Sequence, residues 1–157
     1  MANLLESVTV QSKTGEKLSL ANAKSCAKVV LLYFSAHWCP PCRKFTPLLR
    51  EFYEEINDEN KQVEIVFVSS DNTVEEHDKY FNEAHGNWWT VPFEAETLRE
   101  QLRAEFGKKL NSEGELVRSG IPSVVALSTD LSEVVSYDGV ADITTLGSMA
   151  LEMKWTM

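Results

Sequence analysis

The chain has 157 residues with 24 acidic against 15 basic side chains, a formal charge of −9, and 43% hydrophobic and 25% charged residues. These values suit one globular domain over residues 1–157 and exclude a disordered chain. The acidic surplus argues against nucleic acid as a partner, and the longest apolar run, Val29 to Phe34, is far too short to span a bilayer, so no membrane role is expected.

Leu4 to Val10 alternates apolar and polar residues and predicts a first strand, with Gly15 marking a turn. Ser19 to Lys24 predicts a short helical turn. Val29 to Phe34 is β-branched and aromatic and apolar on both faces, the pattern of a strand in the middle of a sheet. Pro40 and Pro41 then open a helix to about Asn57, with Phe45, Leu48, Leu49, Phe52 and Ile56 at helical spacing, and Pro47 predicts a kink within it. Val63 to Val68 predicts a second buried strand. Thr73 to Ala84 predicts a helix capped near Asp71 or Asn72, and Glu94 to Phe106 another, stopped by Gly107. Ser123 to Leu127 and Glu133 to Tyr137 predict two strands joined around Thr129-Asp130, and Ile143 to Trp155 a closing amphipathic helix. Strands alternating with helices, then a hairpin and a final helix, predict an α/β fold: a central mixed sheet with helices on both faces.

The start of the chain shows no basic segment followed by an apolar one, so no secretory signal is expected. Three cysteines are present, Cys26, Cys39 and Cys42. An odd, sparse count without such a signal does not suggest a disulfide scaffold. In Trp38-Cys39-Pro40-Pro41-Cys42, a buried strand delivers Cys39 to the start of a helix. Unpaired N–H groups and the positive end of the helix dipole there favour a thiolate on Cys39. Cys42 follows one turn later on the same side, less exposed and able to close a disulfide. Thiol–disulfide exchange needs that division between an attacking and a resolving thiol. Pro40 stands where a missing N–H costs nothing, and the two prolines stiffen the loop. Half of a zinc site, completed by His37, His77 or His85, is a competing reading, but no second cysteine pair exists. A structural disulfide and a pair of core cysteines are the others.

The stretch Val30 to Pro47 resembles the tryparedoxin/nucleoredoxin branch of the thioredoxin superfamily, whose Cys-Pro-Pro-Cys differs from the Gly-Pro spacer of ordinary thioredoxins. Phe45-Thr46-Pro47, Phe52-Tyr53, Val66-Phe67-Val68-Ser69-Ser70-Asp71, Tyr80-Phe81, Trp88 and Val91-Pro92-Phe93 follow the same pattern in order. Gly120-Ile121-Pro122-Ser123 resembles the cis-proline motif of that fold, and the likeness runs from Val8 to Gly139. The resemblance implies Cys39 as nucleophile, Cys42 as resolving thiol, Trp38 with Pro40 and Pro41 as part of the substrate platform, and Pro122 as a cis-proline beside them, with the Ile121 backbone pairing with an incoming strand. Without the resemblance Pro122 reads equally as a trans proline at a strand start.

Tyr33 stands where ordinary thioredoxins carry a buried aspartate, so Asp71 is a candidate proton relay, with helix capping as its alternative role. His37 either favours the thiolate or faces solvent without a role. Asn111 to Glu115 reads as an insertion before the cis-proline strand, altering partner choice or inert. Of Trp88 and Trp89, one is expected in the core and the other partly exposed. Cys26 is expected to be a buried, inert thiol.

The expected activity is reduction of protein disulfides without cofactor or metal. The resemblance implies peroxiredoxin-type peroxidases or signalling proteins as clients. It implies, as electron donor, either a low-molecular-weight thiol of the glutathione or trypanothione type or thioredoxin reductase. The alternative is a binding module with little turnover. The expected compartment is the cytoplasm, with the nucleus as the alternative.

Overall fold

The computed structural model describes residues 2–156. A short helix, α1 (Ala2–Glu6), leads into a hairpin of β1 (Thr9–Gln11) and β2 (Lys17–Ser19), then α2 (Leu20–Ala23). Strands and helices then alternate through β3 (Val29–Ser35), α3 (Pro40–Ile56), β4 (Val63–Ser69), α4 (Val74–Glu83), β5 (Trp89–Thr90) and α5 (Glu96–Phe106). A second hairpin, β6 (Lys108–Leu110) and β7 (Leu116–Arg118), precedes β8 (Ser123–Ser128), β9 (Val134–Ser136) and α6 (Gly139–Leu146). A 3-10 turn (Gly147–Met149) and a wider π-type turn (Leu151–Trp155) follow.

The apolar runs of β3 and β4 explain the architecture. A strand apolar on both faces needs a packed layer above and below it, and β3 sits inside the sheet, paired in parallel with β4 and antiparallel with β8. The main sheet has the order β2-β1-β5-β4-β3-β8-β9. Successive side chains of a strand face opposite ways. Val29, Leu31 and Tyr33 therefore join one core with Phe45, Leu49 and Phe52 of α3, Tyr80 and Phe81 of α4, and Ile143 of α6. Val30, Leu32 and Phe34 join the other with Leu20 of α2 and Leu102 and Phe106 of α5. This is the expected α/β thioredoxin fold, a mixed sheet with helices on both faces.

Three local expectations are corrected. Leu4 to Val10 is not one strand: its start is helical, closed by Ser7, whose N–H and hydroxyl both donate to the Leu4 carbonyl. The α4 cap is Thr73, whose hydroxyl accepts the Glu76 N–H at 3.2 Å, and not Asp71 or Asn72. The final helix starts earlier and breaks at Gly147, whose φ of +56° leaves the helical region. Asn111 to Glu115 is the tip of the β6–β7 hairpin, a separate two-stranded sheet. Helix α3 runs unbroken through Pro47.

Candidate active site

The chain leaves β3 at Ser35 and turns through Ala36, whose carbonyl accepts the Cys39 N–H at 3.2 Å. Cys39 is the N-cap of α3, with extended backbone (φ −98°, ψ 108°) and Pro40-Pro41 in the first helical positions. Its sulfur accepts the Cys42 backbone N–H at 3.4 Å and lies 3.8 Å from the Ile121 carbonyl, to which the thiol donates. The Ile121–Pro122 peptide is cis. Cys39, Cys42 and Ala36 form a small apolar cluster of their own, with half-buried Ile121 packed on it. Two segments more than eighty residues apart thus meet at one sulfur.

Both thiols are free, and the access of the two differs: Cys39 keeps 5% of its surface and Cys42 none. Burial, reinforced by the hydrogen-bonded Cys39 thiol, pushes the Cys42 thiol up to about 12, against the opposing pull of the Ser35 hydroxyl and the Ala36 backbone. Cys42 is therefore the fully buried thiol of the pair, favoured in its neutral form, and Cys39 the sulfur nearer the surface.

Trp38 stands half exposed beside them, its indole N–H donating to the Ser70 carbonyl at 2.9 Å. Pro40 and Pro41 are exposed on the same rim. Asp71 is buried, but its hydrogen bonds lead to the loop and not to Cys42. One oxygen accepts the His37 N–H at 2.7 Å and the other the Ser69 hydroxyl at 2.6 Å. It fastens the segment before Trp38 to the end of β4. The His37 ring rests edge-on against Tyr80, 5.7 Å between centroids, so it is neither free in solvent nor hydrogen-bonded to a cysteine.

A network of buried hydroxyls that sequence reasoning missed lies beside Cys42. Tyr80 bridges Ser35 (2.7 Å) and Thr46 (2.6 Å), and Thr46 meets Tyr33 at 2.7 Å. Thr46 donates to the Cys42 carbonyl at 2.9 Å. The one available signal was Thr46 four residues after Cys42, on the same helix face. Cys26 lies away from the site and is exposed, contrary to expectation, at the turn where Ser25 adopts φ +49°. Trp88 is core and Trp89 half buried, as expected. Among the described residues no group of three or more His, Cys, Asp or Glu is placed to hold a metal ion.

A family model described as "Thioredoxin-like" matches residues 27–133. The chain is 41% identical over 97 residues to probable nucleoredoxin 1 of Arabidopsis thaliana, covering 59% of this chain and 16% of that protein. It is 35% identical over 126 residues to tryparedoxin of Trypanosoma brucei brucei, covering 79% of this chain and 75% of the relative. The crystal structure of a thioredoxin from Wuchereria bancrofti superposes with a TM-score of 0.75 at 38% identity, over 89% of this chain and 88% of that one. The chain thus spans about a sixth of the plant nucleoredoxin's length.

Proposed function

The chain belongs to the thioredoxin-like family, close to the tryparedoxins and nucleoredoxins, and on that premise we propose that it is a reductase of protein disulfides working through Cys39 and Cys42. The relationship supports a thiol–disulfide redox role in general. The finer reading rests on one observation: the rim sulfur of Cys39 receives a backbone N–H at the helix start while Cys42 is held buried and protonated.

The Cys39 thiolate attacks one sulfur of a client disulfide. A Cys39–client disulfide forms, and the other client sulfur leaves as a thiolate that takes up a proton. Cys42 then gives up its proton and attacks the Cys39 sulfur. The Cys39–Cys42 disulfide forms, the second client sulfur departs as a thiol, and two electrons have passed to the client. Ile121 and cis-Pro122 flank the Cys39 sulfur and Trp38 lies beside it, so these residues, with Pro40 and Pro41, form the platform on which the client disulfide lies. Asp71 positions this platform through His37. The proposed clients are disulfide-bearing proteins such as peroxiredoxins. The proposed donor is a low-molecular-weight thiol of the glutathione or trypanothione type, and the compartment a reducing one, cytoplasm or nucleus.

Replacing Cys42→Ser leaves the mixed disulfide without a resolving thiol, so clients accumulate bound to Cys39 and are released by dithiothreitol. NADPH consumption with glutathione or trypanothione and its reductase, set against thioredoxin reductase, identifies the donor. Turnover through thioredoxin reductase alone overturns the donor assignment. No trapping and no turnover in either arm, with partners retained after both cysteines are replaced, overturns the reductase and leaves a binding module.

A further inference from the structure

The β6–β7 hairpin has no part in the core, yet it is built with care. Asn111 ties its tip: its side-chain oxygen accepts the N–H groups of Glu113 and Glu115, both at 2.9 Å, and Gly114 takes the positive φ of +78° that the turn needs. At the base the Ser119 N–H donates to the Gly107 carbonyl at 2.9 Å. Its ladder pairs Lys108 with Arg118, Lys109 with Val117 and Leu110 with Leu116. Because side chains alternate, Lys108, Arg118, Leu110 and Leu116 share one face.

That face is unfavourable as it stands. Like charges directly opposite each other in a ladder repel, and Lys108 faces Arg118. None of Lys108, Lys109 and Arg118 forms an ion pair among the described residues. Beyond them Leu110 is 50% and Leu116 45% exposed. In a chain of net charge −9, this places cations without an ion-pair partner among the described residues at the hairpin base, where only Glu100 of α5, already paired with Arg103, feels the Arg118 charge, and the hairpin's own acids, Glu113 and Glu115, are kept at the tip.

The base is next to the candidate active site. Strand β7 runs on through Ser119 and Gly120 into Ile121, whose carbonyl meets the Cys39 sulfur. On the other face, Lys109 lines a groove of about 390 Å³ that also includes Pro122, Tyr137 and Val140.

We propose that the hairpin is a docking arm for an acidic, apolar-anchored segment of the client protein, beside the disulfide presented to Cys39. A client carboxylate sits between Lys108 and Arg118 and removes their repulsion. An apolar client side chain covers Leu110 and Leu116. The locked turn pre-organises the arm, so little is lost in ordering it on binding. The inference names the client chemistry of the reductase proposed above and rests on that reading.

The test measures binding apart from turnover. Fluorescein-labelled peptides carrying either Asp-Leu-Asp or Lys-Leu-Lys beside an internal disulfide are titrated against the Cys39→Ser/Cys42→Ser protein by anisotropy. The acidic peptide is expected to bind about tenfold tighter than the basic one at low ionic strength, and the preference to fade with salt. Lys108→Gln/Arg118→Gln should bring the two to parity and Lys108→Glu/Arg118→Glu reverse them. Leu110→Ser/Leu116→Ser should weaken both peptides and leave the preference intact. Equal affinity for both peptides, or a preference that survives charge reversal, overturns the proposal. So does a dimer in sedimentation velocity that charge reversal dissociates, because the arm would then hold a second copy of this chain. Turnover of hydroxyethyl disulfide by the unmodified protein reports separately on the reductase reading.

Discussion

Cys42 combines full burial with a proton that must leave during the proposed cycle. Its carbonyl is held by Thr46, and Thr46, Tyr80, Ser35 and Tyr33 hold one another, so the thiol sits beside a wall of neutral hydroxyls. Folding therefore keeps Cys42 neutral where an unfolded cysteine, titrating near 9.0, ionises. A raised folded value adds stability that is complete below the unfolded one and is lost as pH climbs towards the folded one. The reduced protein should accordingly lose stability between pH 9.0 and about 12. Urea unfolding of reduced protein against Cys42→Ser across that range measures it, and oxidation of the pair, which removes the thiol, should abolish the difference. An identical pH dependence in reduced, oxidised and substituted protein would contradict it.

Among the elements, α6 matters most to the site because it lies against β8 immediately after the cis-proline. The approach is close enough to require glycine. A Cβ on Gly139 would stand 2.4 Å from Val124 Cγ1 and 2.6 Å from the Val124 carbonyl oxygen. Since the second of these atoms is backbone, Gly139→Ala must push α6 off the sheet, and a cost of about 1–3 kcal/mol is expected in chemical denaturation. An unchanged midpoint would show that the helix relaxes freely. Long elements were legible because burial marks many residues at once, as continuous apolar runs in β3 and β4 and as helical spacing in α3 and α4. Two- and three-residue strands carry no such period, so β5 and the β6–β7 hairpin were not. The closing helix was misread because its break at Gly147 is a backbone conformation, and one glycine within an otherwise helical pattern does not reveal it. The cysteine pair was legible because its parts are contiguous. The hydroxyl network was not, because Ser35, Thr46 and Tyr80 come from three different elements and only the fold brings them together.

At the scale of the whole molecule, β3, β4 and α4 converge on one histidine that the proposed chemistry does not use. His85 is fully buried, with the rings of Phe67 and Tyr80 at 4.3 and 4.4 Å between centroids and Tyr33, Phe81 and Trp88 around them. Its Nδ1 accepts the Trp88 indole N–H at 3.0 Å, which assigns the ring proton to Nε2, and Nε2 has no partner among the described residues. The charged groups near it are also unfavourable to a second proton. Lys13, from the β1–β2 hairpin, donates to the His85 carbonyl at 2.5 Å, and His77 lies across Phe67. Burial first, then the charges of Lys13 and His77, hold the imidazole well below its ordinary 6.5. A depressed folded value means that the unfolded chain binds the proton first, so stability present above 6.5 is lost as pH falls. The expected slope approaches about 1.4 kcal/mol per pH unit below that point. His85→Gln offers Trp88 an acceptor and cannot ionise. It should lower stability at neutral pH yet flatten the dependence between about pH 7 and about pH 5 in urea unfolding followed by tryptophan fluorescence. Should the variant retain the full slope of the parent, acid sensitivity would lie with the carboxylates instead of with this buried ring.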